Sequence, residues 1–111
     1  MPDAIVTLKA ISDQLRARVV LLLQEDEACV CELMEVFAMS QSRLSHHLLM
    51  LKKAGFLKNE RRGKWNYYSG NMNGTNNDLF RFLLESLKHD PHARKDKELL
   101  RQVKKKLRHT C

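Results

Sequence analysis

Two of the three cysteines, Cys29 and Cys31, are separated by one residue, and the third, Cys111, is the final residue of the sequence. An odd number of cysteines with a Cys-x-Cys spacing is not typical of a disulfide framework, and it fits a reducing cytoplasm better than an oxidising compartment. Thiolate sulfur selects soft metal ions. The three cysteines are therefore the candidate metal ligands of this chain.

The element that positions the cysteine pair is a short helix predicted from about Val30 to Phe37. Unpaired N–H groups and the positive end of the helix dipole lower the pKa of a thiol at this position, which predicts thiolates at Cys29 and Cys31. At about 100° per residue the two side chains point about 200° apart on a regular helix. Both sulfurs can therefore hold one ion only if the first turn unwinds.

The next segment predicts a helix-turn-helix. A three-residue turn from Ala38 leads to Ser40, which is placed to cap a helix that ends at Gly55 and carries leucines at i, i+4 and i+7. His47 lies beside these leucines and is predicted to be a hydrogen-bonded packing residue. The outward face presents side chains that can bond base edges or phosphates, namely Ser40, Gln41, Ser42, Arg43, Ser45 and His46.

After Gly55 the apolar pattern changes from helical spacing to alternation, which predicts a β-hairpin. The tip of this hairpin is basic. Arg61, Arg62 and Lys64 are predicted to contact an adjacent groove or the phosphate backbone, which adds salt-dependent affinity. The excess of 20 Lys and Arg over 13 Asp and Glu, a net charge of +7, favours the same polyanionic partner.

Two further helices are predicted before the cysteine helix, the second capped by Asp13, with Arg16 and Arg18 on its outward side. A fifth helix begins near Asp78 after a linker over 70–77, and it is apolar almost all round, which predicts a homodimer interface. The fold class is mainly α with a small β-hairpin, in the order α-α-α-α-β-β-α plus a basic C-terminal helix. We expect residues 1–90 to form a winged helix-turn-helix domain for DNA binding and dimerisation, and residues 91–111 to form a basic helical extension that carries Cys111.

Several classes of protein are not expected. The longest apolar stretch is far shorter than the roughly 20 residues that span a bilayer, and the start shows no basic leader followed by an apolar core. We therefore expect a cytoplasmic protein with no membrane partner. Spacing identifies no histidine or carboxylate partner for Cys29 and no phosphate loop, so we do not expect an enzyme.

This chain resembles the ArsR/SmtB family of metal-sensing winged-helix repressors in the order of its elements and in three sequence segments. These segments are KAISDQLRARVVLLL, EACVCEL and SQSRLSHHLLMLKKAGFLKNERRGKWNYY. The resemblance implies a homodimer that binds double-stranded operator DNA, represses transcription and dissociates when metal binds. In that family a Cys-x-Cys at this place marks sensors of arsenite, antimonite or soft divalent ions such as cadmium and lead. The resemblance thus implies As(III) or Sb(III) as the inducer, and no organic cofactor.

The third ligand is where this chain departs from the family. The arsenite pattern in relatives is Cys-x-Cys-x-x-Cys, and Met34 occupies its third position here. Because a thioether carries no charge, Met34 is interpreted as a core residue. Cys111 is either the third thiolate, from the same or the partner subunit, or a free thiol.

Other readings of the same residues are a cadmium or lead sensor, a repressor in which Cys29 and Cys31 respond to oxidation, and a non-specific architectural DNA protein.

Overall fold

Side-chain caps set where the helices of this chain begin. In the computed structural model, which describes residues 2–71 and 78–107, Asp13 Oδ2 accepts a hydrogen bond from the Arg16 backbone N–H at 3.1 Å. Ser40 Oγ accepts one from the Arg43 backbone N–H at 3.4 Å. Both predicted caps are confirmed, and each satisfies an N–H group that the first turn of a helix leaves without a partner.

Across residues 2–71 and 78–107 the chain forms six helices and three strands. Their bounds are α1 Pro2–Ile11, α2 Gln14–Glu25, β1 Ala28–Cys29, α3 Val30–Phe37, α4 Gln41–Lys53, β2 Leu57–Arg62, β3 Trp65–Gly70, α5 Asp78–Leu87 and α6 Pro91–Leu107. The predicted class, mainly α with a small hairpin and a C-terminal helix, is confirmed. Most of the predicted linker 70–77, together with Cys111, lies outside the described residues.

The sheet has one strand more than the sequence predicted. The hairpin of β2 and β3, which we call the wing, turns at Gly63 with a φ of +63°. β1 pairs with β3 on its other side, antiparallel, with Cys29 opposite Tyr67 and Ala28 opposite Tyr68, so that the strand order is β1-β3-β2. A strand of two residues has no readable alternation, which is why the pattern did not reveal it.

The core lies among α2, α3, α4 and α6. α4 buries three leucines at the predicted spacing, and α2 and α3 bury the apolar residues that face them. α6 packs on both α2 and α3, with its basic residues mostly outward. The buried side chains it supplies are Ala93, Asp96, Leu100 and Val103. The predicted basic amphipathic helix is confirmed, while a functional division between residues 1–90 and 91–111 stays a prediction.

One buried ion pair joins three helices, and it corrects the expectation that Arg18 points outward. Arg18 of α2 donates to Asp96 of α6 twice, Nη2 to Oδ1 at 2.7 Å and Nε to Oδ2 at 3.0 Å. The guanidinium also lies 5.3 Å from the centroid of the Phe37 ring on α3. The hydrogen bond with Asp96 raises the pKa of Arg18. Arg18 points to α6 because the carboxylate of Asp96, which is 1% exposed there, needs a cation as its partner.

None of the helices in the described parts of the chain combines the length and apolar character that crossing a bilayer demands.

Removing either partner of this pair tests how it stabilises the fold. Arg18→Met leaves a buried carboxylate without a partner, and we expect the free energy of unfolding to fall by about 3 kcal/mol. Asp96→Asn leaves a partly exposed guanidinium that can reach water, so we expect a smaller loss, about 1 kcal/mol. Urea denaturation measures both. Glu98→Gln on the exposed side of α6 is the control, and a larger loss for Asp96→Asn than for Arg18→Met would contradict this account.

Candidate metal and DNA site

Cys29 occupies the junction between a strand and a helix, and it is buried there. It is the last residue of β1 and the N-cap of α3, with 1% of its surface exposed. Its backbone N–H donates to Glu32 Oε1 at 3.0 Å, which holds the first turn of α3 against the end of β1. Cys31 lies one residue into the helix and is half-buried. Because Cys29 has extended backbone and precedes the helix, the predicted angle of about 200° between two helical side chains does not describe this pair. Cys29 is a free thiol and Cys31 is disulfide-bonded, so the two are not bonded to each other.

The predicted activation of Cys29 by the helix N-terminus is wrong. Burial raises the pKa of the Cys29 thiol above its ordinary value, and the nearby charge of Glu32 raises it further. Hydrogen bonding to backbone N–H groups acts in the opposite direction and does not outweigh the loss of water around the sulfur. Cys29 is therefore held as a neutral thiol that must lose its proton to bind a metal.

The two cysteines belong to the lining of a cavity of about 300 Å³ between α3, α4 and the wing. Its walls include residues from both groups that the sequence singled out, the predicted metal ligands and the predicted DNA contacts. The lining residues from these two groups are Cys29, Cys31, Gln41, Ser45, Arg61 and Lys64. An ion held by the cysteines would therefore lie beside side chains that the sequence predicted to contact DNA.

The described residues around the cysteine pair include no third thiol. Met34 is half-buried and packs against the core, as predicted, and its thioether also borders the cavity. Within residues 2–71 and 78–107, His, Cys, Asp and Glu side chains form no group of three or more that could hold a metal ion. Cys111, the other predicted ligand, lies outside the described residues.

The outward face of α4 carries the polar side chains that the sequence predicted to contact DNA. Its three core leucines are buried, and the polar side chains between them are exposed. The exposed set is Ser40, Gln41, Ser42, Arg43, Ser45 and His46. A helix with one polar, exposed face beside a basic hairpin has the form that enters a major groove.

His47 secures this helix to the body of the protein. Its Nδ1 lies 3.1 Å from Arg16 Nη1, and Arg16 also donates to the carbonyl oxygens of Ala10 at 2.7 Å and Lys9 at 3.1 Å. Burial lowers the pKa of His47, and the charge of Arg16 lowers it further, so Nδ1 accepts the bond. The packing role of His47 is confirmed. Arg16, expected to point outward, instead ties α1 and α2 to α4.

The three basic residues near the tip of the wing differ in their surroundings. Arg61 and Lys64 are exposed and border the cavity. Arg62 pairs with two carboxylates: its Nη1 and Nη2 lie 2.5 Å and 2.9 Å from the carboxylate oxygens of Glu27, and its Nη2 lies 2.6 Å from Glu60 Oε1. These hydrogen bonds raise the pKa of Arg62 and lower that of Glu27.

Sequence reasoning missed two acidic residues of this site. Glu32 stands three residues after Cys29, a spacing that fits the reciprocal capping pattern of a helix start and could have been recognised. Glu27 is bonded to a residue 35 positions away. Only the tertiary structure shows that contact.

Comparison with protein families and curated sequences finds transcriptional regulators. Residues 13–59, from the cap of α2 into β2, match the model of the bacterial regulatory protein arsR family. The arsenic resistance transcriptional regulator ArsR1 of Pseudomonas putida is 44% identical over 64 residues, 57% of this chain and 50% of that protein. The arsenical resistance operon repressor of Bacillus subtilis is 42% identical over 64 residues, 57% of this chain and 61% of that protein.

The chain thus spans between half and two thirds of the length of these two relatives. A homolog of the cadmium resistance transcriptional regulatory protein CadC from Staphylococcus aureus is 38% identical over 68 residues, which cover 60% of this chain and 56% of that protein.

Solved structures extend the likeness beyond the matched segment. Reduced HlyU from Vibrio cholerae has a TM-score of 0.65 and 26% identity, and the match covers 78% of this chain and 86% of HlyU. A protein described as a possible transcriptional regulator for arsenical resistance has a TM-score of 0.59 and 31% identity, covering 79% of this chain and 90% of that one. Both matches cover nearly four fifths of this chain, which is more than the segment 13–59.

The lowered pKa of His47 makes a pH-dependent contribution to stability. The unfolded chain binds a proton at His47 more readily than the folded protein, so stability decreases as the pH falls below about 6.5. We expect the loss between about pH 7.5 and about pH 5.5 to be smaller in His47→Asn, which keeps an acceptor for Arg16 but does not titrate. Urea midpoints at the two pH values measure this. His46→Asn, which removes an exposed imidazole from the same helix, should behave as the wild type, and an equal loss in all three proteins would refute the prediction.

Proposed function

Because the chain belongs to the arsR family of bacterial regulatory proteins, we propose that it is a cytoplasmic transcriptional repressor that binds operator DNA as a homodimer. Its cysteine thiolates bind arsenite or antimonite as the inducer, and the repressor then leaves the operator. The observation that carries this proposal is the shared cavity, in which the cysteines border Gln41 and Ser45 of α4 and Arg61 and Lys64 of the wing. Curated relatives named for arsenical resistance support the class of inducer.

DNA binding is assigned to α4 and the wing. The polar face of α4 reads base edges in the major groove, and the cations of the wing contact phosphates. The net charge of +7 favours association with a polyanion, and part of the affinity should therefore depend on salt.

Release from DNA follows from what inducer capture requires. Each thiol that binds replaces a hydroxide of the metalloid: an As–S bond forms, an As–O bond breaks, and the thiol proton leaves with the hydroxide as water. Cys31 must be reduced for this exchange. Since Cys29 is buried and its backbone is held by β3 on one side and by Glu32 on the other, capture of its sulfur together with that of Cys31 should distort the junction of β1 and α3. Cys111 is proposed as the third thiolate.

A dimer interface is proposed on α1 and α5. Both helices leave large apolar side chains exposed in the single chain, with exposed fractions of 65% for Phe82, 48% for Ile5, 46% for Leu8 and 43% for Val6. Apolar side chains exposed on two helices of a small protein favour burial against a second copy.

A sensor of cadmium or lead is the second candidate, because the cadmium resistance relative is nearly as similar as the arsenical resistance relatives. Both candidates use the same thiolates and the same surface. They differ in the ion that releases DNA.

The test is a titration of operator-bound protein, under reductant, with arsenite, antimonite, cadmium, lead and zinc. For the wild type we expect arsenite and antimonite to weaken operator binding by about 5- to 150-fold, the usual range of a coupling between two sites. Cys29→Ser and Cys31→Ser should each abolish the response. Cys111→Ser should weaken arsenite binding if this residue is the third ligand.

Two outcomes would contradict the primary proposal. One is arsenite that saturates the protein while operator affinity stays unchanged. The other is release by cadmium or lead at concentrations where arsenite has no effect, which would support the second candidate instead. A response that appears only after oxidation would mean that the cysteines sense redox state.

Charge substitutions on the wing and on α4 test the proposed DNA contacts. Lys64→Gln should weaken binding to all DNA sequences alike and reduce the slope of log K against log[salt] by about one. Arg43→Gln on α4 should weaken operator binding more than binding to random DNA, because its target includes base edges. Fluorescence anisotropy over a salt series measures both. Lys95→Gln, an exposed lysine of α6, is the matched control, and an equal effect from it would argue against the assignment.

A further inference from the structure

We propose that Glu27 and Arg62 form a clamp that ties the wing to the strand carrying Cys29, and that this clamp transmits inducer capture to the DNA-binding surface. Glu27 and Arg62 are positioning residues in this proposal, and neither contacts the inducer. It rests on the proposed function and adds to it a route of regulation.

The clamp joins two elements that are far apart in sequence. Glu27 lies in the connection between α2 and β1, and Arg62 is the last residue of β2 at the turn of the wing. The guanidinium bonds both carboxylate oxygens of Glu27, at 2.5 Å and 2.9 Å. A two-point contact of this kind fixes orientation as well as distance. The wing tip is thereby held to a segment that ends, two residues later, at Cys29.

The sheet makes a second connection beside the first. Cys29 pairs with Tyr67 of β3, and the Arg62 guanidinium lies 4.6 Å from the centroid of the Tyr67 ring. Cys29, Tyr67, Arg62 and Glu27 therefore form a closed circuit of backbone pairing, ring contact and ion pair. A displacement of Cys29 reaches the wing from both sides of this circuit.

The opposite side of the same segment is held by α6. Lys104 Nζ donates to the Glu27 carbonyl oxygen at 2.6 Å and to Asp26 Oδ1 at 3.1 Å. The connection is thus held between the body of the protein and the wing. A distortion at Cys29 should therefore displace Asp26 and Glu27, the residues that make these contacts.

Charge indicates that Arg62 serves the clamp rather than the DNA. It lies between two carboxylates, those of Glu27 and Glu60, so the trio carries a net charge of −1 and offers a phosphate no net attraction. Arg61 and Lys64 make no ion pair among the described residues, so their charges remain available to attract a phosphate. Because the ion pair of Glu27 and Arg62 is exposed, water screens its effect on stability. Its role should appear instead in the coupling between arsenite binding and operator affinity.

Glu60 provides a matched control for Glu27. Both carboxylates bond Arg62, but Glu60 belongs to β2 itself, so Glu60→Gln changes the charge by the same amount without cutting the connection to β1. The experiment measures operator affinity by anisotropy with and without saturating arsenite, under reductant. Arsenite stoichiometry is measured on the same samples.

We expect Glu27→Gln to bind arsenite with the stoichiometry of the wild type, while its arsenite-induced loss of operator affinity shrinks to less than about a third of the wild-type factor. Glu60→Gln should keep the full factor. Arg62→Lys, which keeps the charge but loses the two-point contact, should behave as Glu27→Gln does, and it serves if Glu27→Gln does not fold.

The outcomes separate the two proposals. If the wild type binds arsenite and keeps its operator affinity, the proposed function fails. If the wild type responds and Glu27→Gln and Arg62→Lys respond equally, the clamp is overturned. It is also overturned if Glu60→Gln loses as much of the response as Glu27→Gln, because net charge would then explain both.

Discussion

The burial of Cys29 at the point where a two-residue strand becomes a helix is the constraint on which the rest of the site depends. Its backbone is committed on one side to β3 and on the other to the cap formed by Glu32. Its sulfur is shielded from water, which raises the pKa of the thiol and keeps it neutral. In the proposed mechanism, a ligand that takes this sulfur disturbs the strand pairing and the helix start together.

The elements around this junction are held by charge as well as by apolar packing. The three consecutive acidic residues from the end of α2 toward β1 each pair with a cation from a distant element: Glu25 with Lys97, Asp26 with Lys104 and Glu27 with Arg62. Each exposed pair contributes little stability by itself. Together they define where the segment lies relative to α6 and the wing, so its position depends on both.

Much of the architecture could be predicted from local signals. The caps at Asp13 and Ser40 and the leucine spacing of α4 are properties of short windows, and the structure confirms them. Predictions failed where burial determined the direction or the pKa of a side chain. Arg18 was expected to face outward, but Asp96 of α6 holds it inward. The thiol of Cys29 was expected to be activated by the helix N-terminus, but the loss of hydration dominates.

The sequence by itself determined the helices, the hairpin and the residue types that can bind a soft ion or DNA, because periodicity, capping and side-chain chemistry act within a few residues. Only the tertiary structure decided that the cysteines and residues predicted to contact DNA share one cavity, that β1 joins the wing, and that Arg62 faces Glu27. Those contacts join residues far apart in the chain. Their energies depend on burial and on partners that no local pattern encodes.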